Sequence, residues 1–430
     1  MTDTIPFLTE IDTRAEVKGS RDPLGLVPIW SHFGRRVVGN LSTVATSQRD
    51  FTLRVFGQWV VERIAEQHPE SQMLPAFLRF EQLCSYARFC HDPEASFRGV
   101  ERVRIRLDGN RRVTLSAAPE HQLLSNQRTY GVWGMYSVPS ANSGLLEQDH
   151  SLAEAGRVLV ETTCLPFLRT LRIDPDKDLL RLLVESKATV DLDGRHGPLV
   201  EALGKLLAPS LRGPERPLYE SHLLFGGPAD PTHGRQAVLA KILAKTSGAG
   251  DQGLTPALMR AISKEAATLG SSQLASDLEA IRVCEGVLAP ASRLFGWLAT
   301  CANQPRERLV AQVRKQLGAD APVDAASFRV LAAEVRAAAI GDADRWIVVA
   351  DAFTAGDYGA VIDELLALNA QVMKGRDGAP WLEFRDGKLA VRFRDEAAEL
   401  PRAKELPQLW QHSYFVDSLC TLVAQVWGRG

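Results

Sequence analysis

Apolar residues return at three- and four-residue intervals along most of this chain, and that period commits it to helices. Ile29, Phe33, Val37 and Leu41 fall four apart, with Trp30 and Val38 beside them. Asp22 is placed to cap this first helix, with Pro23 at its first position and the helix running from about Leu24. A second stripe, Phe51, Val55, Trp59 and Ile64, predicts a helix over about 49–67, and a third helix follows over 73–90. Residues 176–310 continue the pattern, broken at Pro209, Gly213-Pro214 and Gly226-Gly227-Pro228. The alanine-rich stretches 324–340 and 345–371 and a last helix over about 409–427 complete it. The chain has 430 residues. One core serves roughly 250–300 residues, so more than one domain is expected. The reading is an N-terminal domain over 1–170, a helical middle region over 171–320 and a C-terminal region over 321–430, with the Ser/Gly-rich stretch 246–253 as a loop or minor boundary.

In two places the period shortens to two. Arg102, Arg104 and Arg106 alternate with Val103, Ile105 and Leu107, then Asp108-Gly109-Asn110 precedes Val113 and Leu115. A three-residue loop would put all the apolar residues on one face, which predicts a basic β-hairpin. Near the end, Leu382 and Phe384 precede Asp386-Gly387, and Leu389 and Val391 follow. A two-residue turn pairs Phe384 with Leu389 and Leu382 with Val391. The expected fold class is therefore mainly α, multi-domain, with two small β-hairpins. A winged-helix unit is also expected in the N-terminal domain. There, a helix carrying Tyr130, Trp133 and Tyr136 is followed by a short turn and a further helix, the order in which a wing follows a recognition helix.

Composition narrows the function classes. Fifty Lys and Arg against 52 Asp and Glu give a net charge of −2, which excludes a wholly basic nucleic-acid coat protein. Six scattered cysteines do not make a disulfide scaffold, and point to a reducing compartment. The opening MTDTIPFLTEIDTR has no basic stretch followed by an apolar run, and no segment approaches about 20 apolar residues. The expected location is the cytoplasm, with no membrane partner.

The arginines are the strongest binding signal. On a strand, Arg102, Arg104 and Arg106 project to one face with Arg112 opposite, forming a ribbon that suits phosphates. Arg128 sits at the start of the expected recognition helix, placed for double-stranded DNA. A solvated or acid-paired face is the plainer reading of the same residues. Catalytic signals are sparse. Asp176, Glu185 and Lys187 follow the spacing of metal-dependent restriction-type nucleases, but the leucines between them favour a helix that would scatter the set. Cys84, Cys90 and His91 lack the second ligand pair that structural zinc requires. No phosphate loop, nucleophile elbow or His-Glu-x-x-His motif is present, so no cofactor is expected.

Three groups of short blocks carry a family resemblance. They are Arg21-Asp22-Pro23-Leu24-Gly25-Leu26 with Ile29-Trp30, then Tyr130 to Tyr136 with Ser143-Gly144-Leu145-Leu146, and last Ala379-Pro380-Trp381 with the run from Trp410 to Leu419. Together they resemble uncharacterised proteins of bacterial anti-phage defence islands. The resemblance implies a component of an anti-phage system that works with partner subunits supplying ATPase or nuclease activity. It carries no catalytic residues with it. The missing catalytic signature, the arginine strand and the expected winged helix make a non-enzymatic subunit that binds a partner protein, DNA or both the first expectation. A structural protein that oligomerises through its apolar helices is the third expectation.

Overall fold

A computed structural model describes residues 22–246, 253–319, 323–393 and 398–428. The protein is mainly α-helical, with two small antiparallel two-stranded sheets. Its chain forms two compact units, and neither is a single stretch of sequence. The first unit takes Leu254–Tyr414 and the described part of Met1–Arg35; the second takes Arg36–Gly253 and Phe415–Gly430. This differs from the consecutive division at 170 and 320. The stretch 246–253 does fall at a boundary, although its residues 247–252 lie outside the described residues.

The first unit opens with α1 (Val27–Arg35). The second then holds α2 (Gln48–Ala65), α3 (Met73–His91), α4 (Val100–Leu107), β1 (Arg112–Ser116), α5 (Gln127–Tyr130) and α6 (Val132–Asn142). It continues with α7 (Glu154–Leu159), α8 (Leu165–Thr170), α9 (Arg181–Val184), β2 (Lys187–Asp191), α10 (Gly197–Leu206), α11 (Glu215–Tyr219) and α12 (Arg235–Lys245). The chain returns to the first unit for α13 (Pro256–Thr268), α14 (Ser272–Leu298), α15 (Arg306–Leu317), α16 (Ala325–Ala337), α17 (Ala343–Thr354) and α18 (Tyr358–Lys374). There it forms the hairpin of β3 (Leu382–Arg385) and β4 (Lys388–Val391), and α19 (Val416–Trp427) rejoins the second unit. Among the described residues no helix is long and apolar enough to cross a membrane.

In the second unit α2 is buried on nearly every side, packing on α3, α6, α7 and α19. Such a helix must bury polar groups as well, and each needs a partner. Arg49 forms an ion pair with Glu215 at 2.5 Å, both side chains almost wholly buried. Arg54 is fully buried, with its guanidinium between the rings of Phe77 and Trp133. Gly57 makes room for α3, because a Cβ there would lie 2.5 Å from the Phe77 ring. In the first unit α14 is the centre, lying against α13 on one side and against α1, α16 and α18 on others.

The C-terminal hairpin has the expected register: Leu382 opposes Val391 and Phe384 opposes Leu389. Asp386 and Gly387 turn with φ of 49° and 74°, the left-handed pair a two-residue hairpin loop requires. The expected first hairpin is corrected. Val100–Leu107 is a helix, α4, and β1 pairs instead with β2, placing Val113 opposite Val190 and Leu115 opposite Ala188. The reason is packing. Val103 and Leu107, four apart, are buried on one helix face, while Ile105 between them is 73% exposed; a strand would have buried all three together.

Two helix starts also shift, and one strand is added. Asp22 does receive backbone N–H groups, but from Leu26 at 2.7 Å and Val27 at 3.0 Å, because Gly25 makes a left-handed turn first and α1 starts at Val27. The last helix starts at Val416 rather than near 409. The region 176–310 also contains a strand, β2, that helical period alone did not suggest. The winged-helix expectation gains no support. Where a wing would lie there is one isolated bridge, Leu146 to Leu152, and α6 turns Val132, Tyr136 and Ser140 into the interior of the second unit.

Candidate functional site

The five arginines expected to meet DNA do not share one face. On α4, Arg102 and Arg106 are four apart and lie together, while Arg104 points elsewhere. Arg102 donates to the Gln122 carbonyl at 3.1 Å. Arg106 is more committed: it donates to the carbonyls of Glu120, His121 and Gln122 and to the Tyr86 hydroxyl. These bonds hold the turn at 119–122 against α4. Arg104 pairs with Glu101 at 2.7 Å on the exposed side, and Arg112 on β1 pairs with Asp191 of β2 at 3.3 Å. Arg128 is exposed on the short helix α5. The cationic ribbon is therefore corrected to separate surface side chains and one structural arginine.

The three residues of the nuclease set lie on different local elements. Asp176 faces Arg63 at 3.5 Å. Glu185 follows the end of α9, and Lys187 begins β2. Among the described residues no three His, Cys, Asp or Glu side chains are grouped to hold a metal ion, Cys84, Cys90 and His91 included.

The most developed site lies in the first unit, where α14 supplies a buried carboxylate. Glu285 is 1% exposed, and a buried carboxylate is tolerable only when donors surround it. Four do. Its Oε1 accepts from the backbone N–H groups of Gln411, at 2.5 Å, and His412, at 3.0 Å. Its Oε2 accepts from His412 Nδ1 at 2.8 Å and from the Tyr414 hydroxyl at 2.9 Å. Glu285 thus fixes the irregular segment 410–414, with Trp410 Nε1 bonding the His412 carbonyl at 2.7 Å. The bond to Nδ1 sets the imidazole tautomer and leaves Nε2 outside the network. Next to Glu285, burial pushes the Cys284 thiol up and keeps it protonated.

The His412 ring stacks on Trp30 of α1 at a centroid distance of 6.1 Å. Beside them opens a cavity of about 500 Å³. Its aromatic walls are Trp30, Phe295, Trp381 and Phe393, the last two stacked at 4.2 Å. Leu24, Leu26 and Val27 close it on one side, and Ser292, Gln411 and His412 supply polar groups. Gln411 donates to Ser292 Oγ at 2.9 Å. Fully buried Asn369 ties the walls together: it donates to the Pro23 carbonyl at 2.9 Å and accepts from the Trp381 backbone N–H at 2.7 Å. Trp381 itself is 9% exposed, yet among the described residues its indole Nε1–H has no acceptor. A buried indole N–H usually finds one, so this donor, on a residue that lines the cavity, is left for an acceptor from outside the described residues.

This cavity gathers blocks that the sequence keeps far apart. Six residues between Asp22 and Trp30, then Trp381, and Gln411 with His412 line it. The remaining block, 130–146, lies in the second unit and has interior roles there. The Val132 N–H donates to Glu81 at 2.7 Å, and Asn40 donates to Ser143 Oγ at 3.0 Å. Sequence reading missed Glu285 and Asn369, since a single polar residue in an apolar helix carries no local mark of its partners.

The fold and site together define a helical protein with a hydrogen-bonded aromatic cavity. No protein-family model, curated protein or solved structure matches the chain.

Proposed function

We propose that the chain is a binding subunit of a bacterial anti-phage defence assembly, in which partner proteins carry the catalytic chemistry. Its ligand is a planar heteroaromatic group of the nucleobase kind, taken into the cavity of the first unit. The observation that carries this reading is the buried Trp381 indole N–H, which has no acceptor among the described residues, on a residue that lines the aromatic cavity. Aromatic walls favour flat rings, and stacking on them is worth ~1–3 kcal/mol per base. A nucleobase also offers ring nitrogens and carbonyls to the indole N–H, and exocyclic amino donors to His412 Nε2. Small apolar-walled pockets with a few convergent polar groups are the usual shape of such sites. Duplex DNA and partner proteins remain part of this proposal, with the exposed Arg104, Arg112 and Arg128 available for phosphate contacts.

The test is calorimetric titration with free nucleosides and a short single-stranded oligonucleotide. Trp381→Phe keeps a stacking ring and removes the donor, so about tenfold weaker binding with an unchanged fold supports the assignment. Absent binding of every probe, or equal binding by Trp381→Phe, ends it.

A further inference from the structure

The stretch 172–199 of the second unit folds around a separate, strongly polar cavity of about 370 Å³. Three local choices bring cations to it. Arg172 takes a left-handed turn (φ 60°) just after α8, Arg181 opens α9, and Arg195 lies in the loop before α10. None of the three makes an ion pair or a side-chain hydrogen bond within the described residues, although acids are close in sequence. Those acids are engaged elsewhere: Asp176 faces Arg63, Asp191 pairs with Arg112, and Asp193 pairs with Arg111 at 3.1 Å. On the cavity wall itself Lys177 is held by Asp174 at 3.3 Å, and Asp178 accepts from the Asp174 N–H at 2.8 Å. Glu185 is the second carboxylate on the wall, leaving cations in excess.

His196 adds a directed donor. Its Nδ1 accepts from the Asp191 N–H at 3.1 Å, so a neutral ring carries its proton on Nε2. Thr189 of β2 supplies a hydroxyl, and α10 starts at the same wall with the positive end of its dipole. Cations in excess of the carboxylates around them repel one another, and an anion relieves that cost. The guanidinium fork suits phosphate oxygens better than any other biological anion except carboxylate.

We propose that this cavity binds a terminal phosphate group, as on a nucleotide or a 5′-phosphorylated nucleic-acid end. Of the nuclease set, Glu185 lines this cavity, and Asp176 and Lys187 are not among its lining residues. It stands independently of the aromatic cavity.

The experiment is titration of the full chain with inorganic pyrophosphate, and with one oligonucleotide bearing or lacking a 5′ phosphate. Pyrophosphate is expected to bind, with affinity falling as salt rises. Arg181→Gln with Arg195→Gln should weaken it at least tenfold while circular dichroism stays unchanged. Glu185→Gln provides a second arm that does not depend on loss: removing the opposing carboxylate should tighten binding severalfold. Preference for the 5′-phosphorylated oligonucleotide over the unphosphorylated one locates the source as a nucleic-acid end; pyrophosphate binding without that preference locates it as a free nucleotide. No pyrophosphate binding, or binding that neither the double arginine change nor Glu185→Gln alters, overturns the proposal.

Discussion

Two buried carboxylates, one in each unit, show how the same group can be structural in one place and form part of a site in another. Glu81 on α3 is 4% exposed and accepts from the Val132 N–H at 2.7 Å and Gln127 Nε2 at 3.0 Å. It is sealed in: a Cβ on Gly131 would lie 2.6 Å from its Oε1. With so little solvent, burial is the larger influence and pushes its carboxyl up to about 7, while the two donors pull the other way. Glu285 is as deeply buried but accepts four hydrogen bonds, and one donor, His412, lines a cavity. What separates the two is where the donors lead. Those of Glu81 end in packed interior, whereas those of Glu285 end at a surface a ligand can reach.

The largest expected effect tests the Glu285 side. Glu285→Ala strips four donors of their acceptor inside the first unit, and breaking a buried charged network costs roughly 3–5 kcal/mol. Urea denaturation should show a loss of that size; a loss under about 1 kcal/mol would mean that segment 410–414 is held by something else.

The second prediction concerns Glu81 and pH. Its carboxyl titrates higher in the folded protein, near 7 against an ordinary 4.5, so the folded state holds an extra proton between those values. The stability this gives is fully present below about 4.5 and is lost as pH rises through about 7. The difference amounts to ~3 kcal/mol. Glu81→Gln should flatten this part of the profile, measured as urea midpoints at pH 5 and pH 8. Parallel profiles for the two proteins would place Glu81 in a more solvated setting than its geometry indicates.

A third test separates two arginines of α4 that the sequence presents as equals. Arg106→Ala removes the donor to three carbonyls and should cost roughly 1–2 kcal/mol. The smallest effect is Arg104→Ala, which removes an exposed pair with Glu101 and should change stability by less than about 0.5 kcal/mol. Equal costs for the two would return them to a shared face. If duplex DNA binds, Arg104→Ala is then the variant whose affinity change can be read without a folding penalty.

How much of this was legible in the sequence depends on the range of the deciding contact. The hairpin 382–391 was readable because its turn and both strands sit within ten residues and agree on one register. The long helices were readable from their stripes. Residues 100–107 were not, because Arg-Val-Arg-Ile-Arg-Leu satisfies both periods, and the partner that decides for β1 is β2, more than 70 positions further on. β2 itself alternates, with Ala188 and Val190 buried and Thr189 exposed, but the leucines before it made the stretch look helical. At the aromatic cavity, the segment around Gln411 and His412 stood out as a block, yet its meaning waits on Glu285, 126 positions upstream of Gln411.

The interleaving of the two units has a consequence for how the protein is made. α19 packs on α12 and α2, with Ser418 bonding the Ser42 carbonyl at 2.8 Å and Gln425 accepting from the Gln48 N–H at 2.9 Å. During synthesis the ribosome delivers residues 36–253 and then all of 254–414 before this helix emerges. The second unit must therefore wait, with part of its apolar interior uncovered, while the first unit's helices are translated. α1 waits in the same way for α14. Translation speed and chaperone supply, rather than local helix strength, should set the yield of folded chain, because an uncovered interior invites association with other nascent chains.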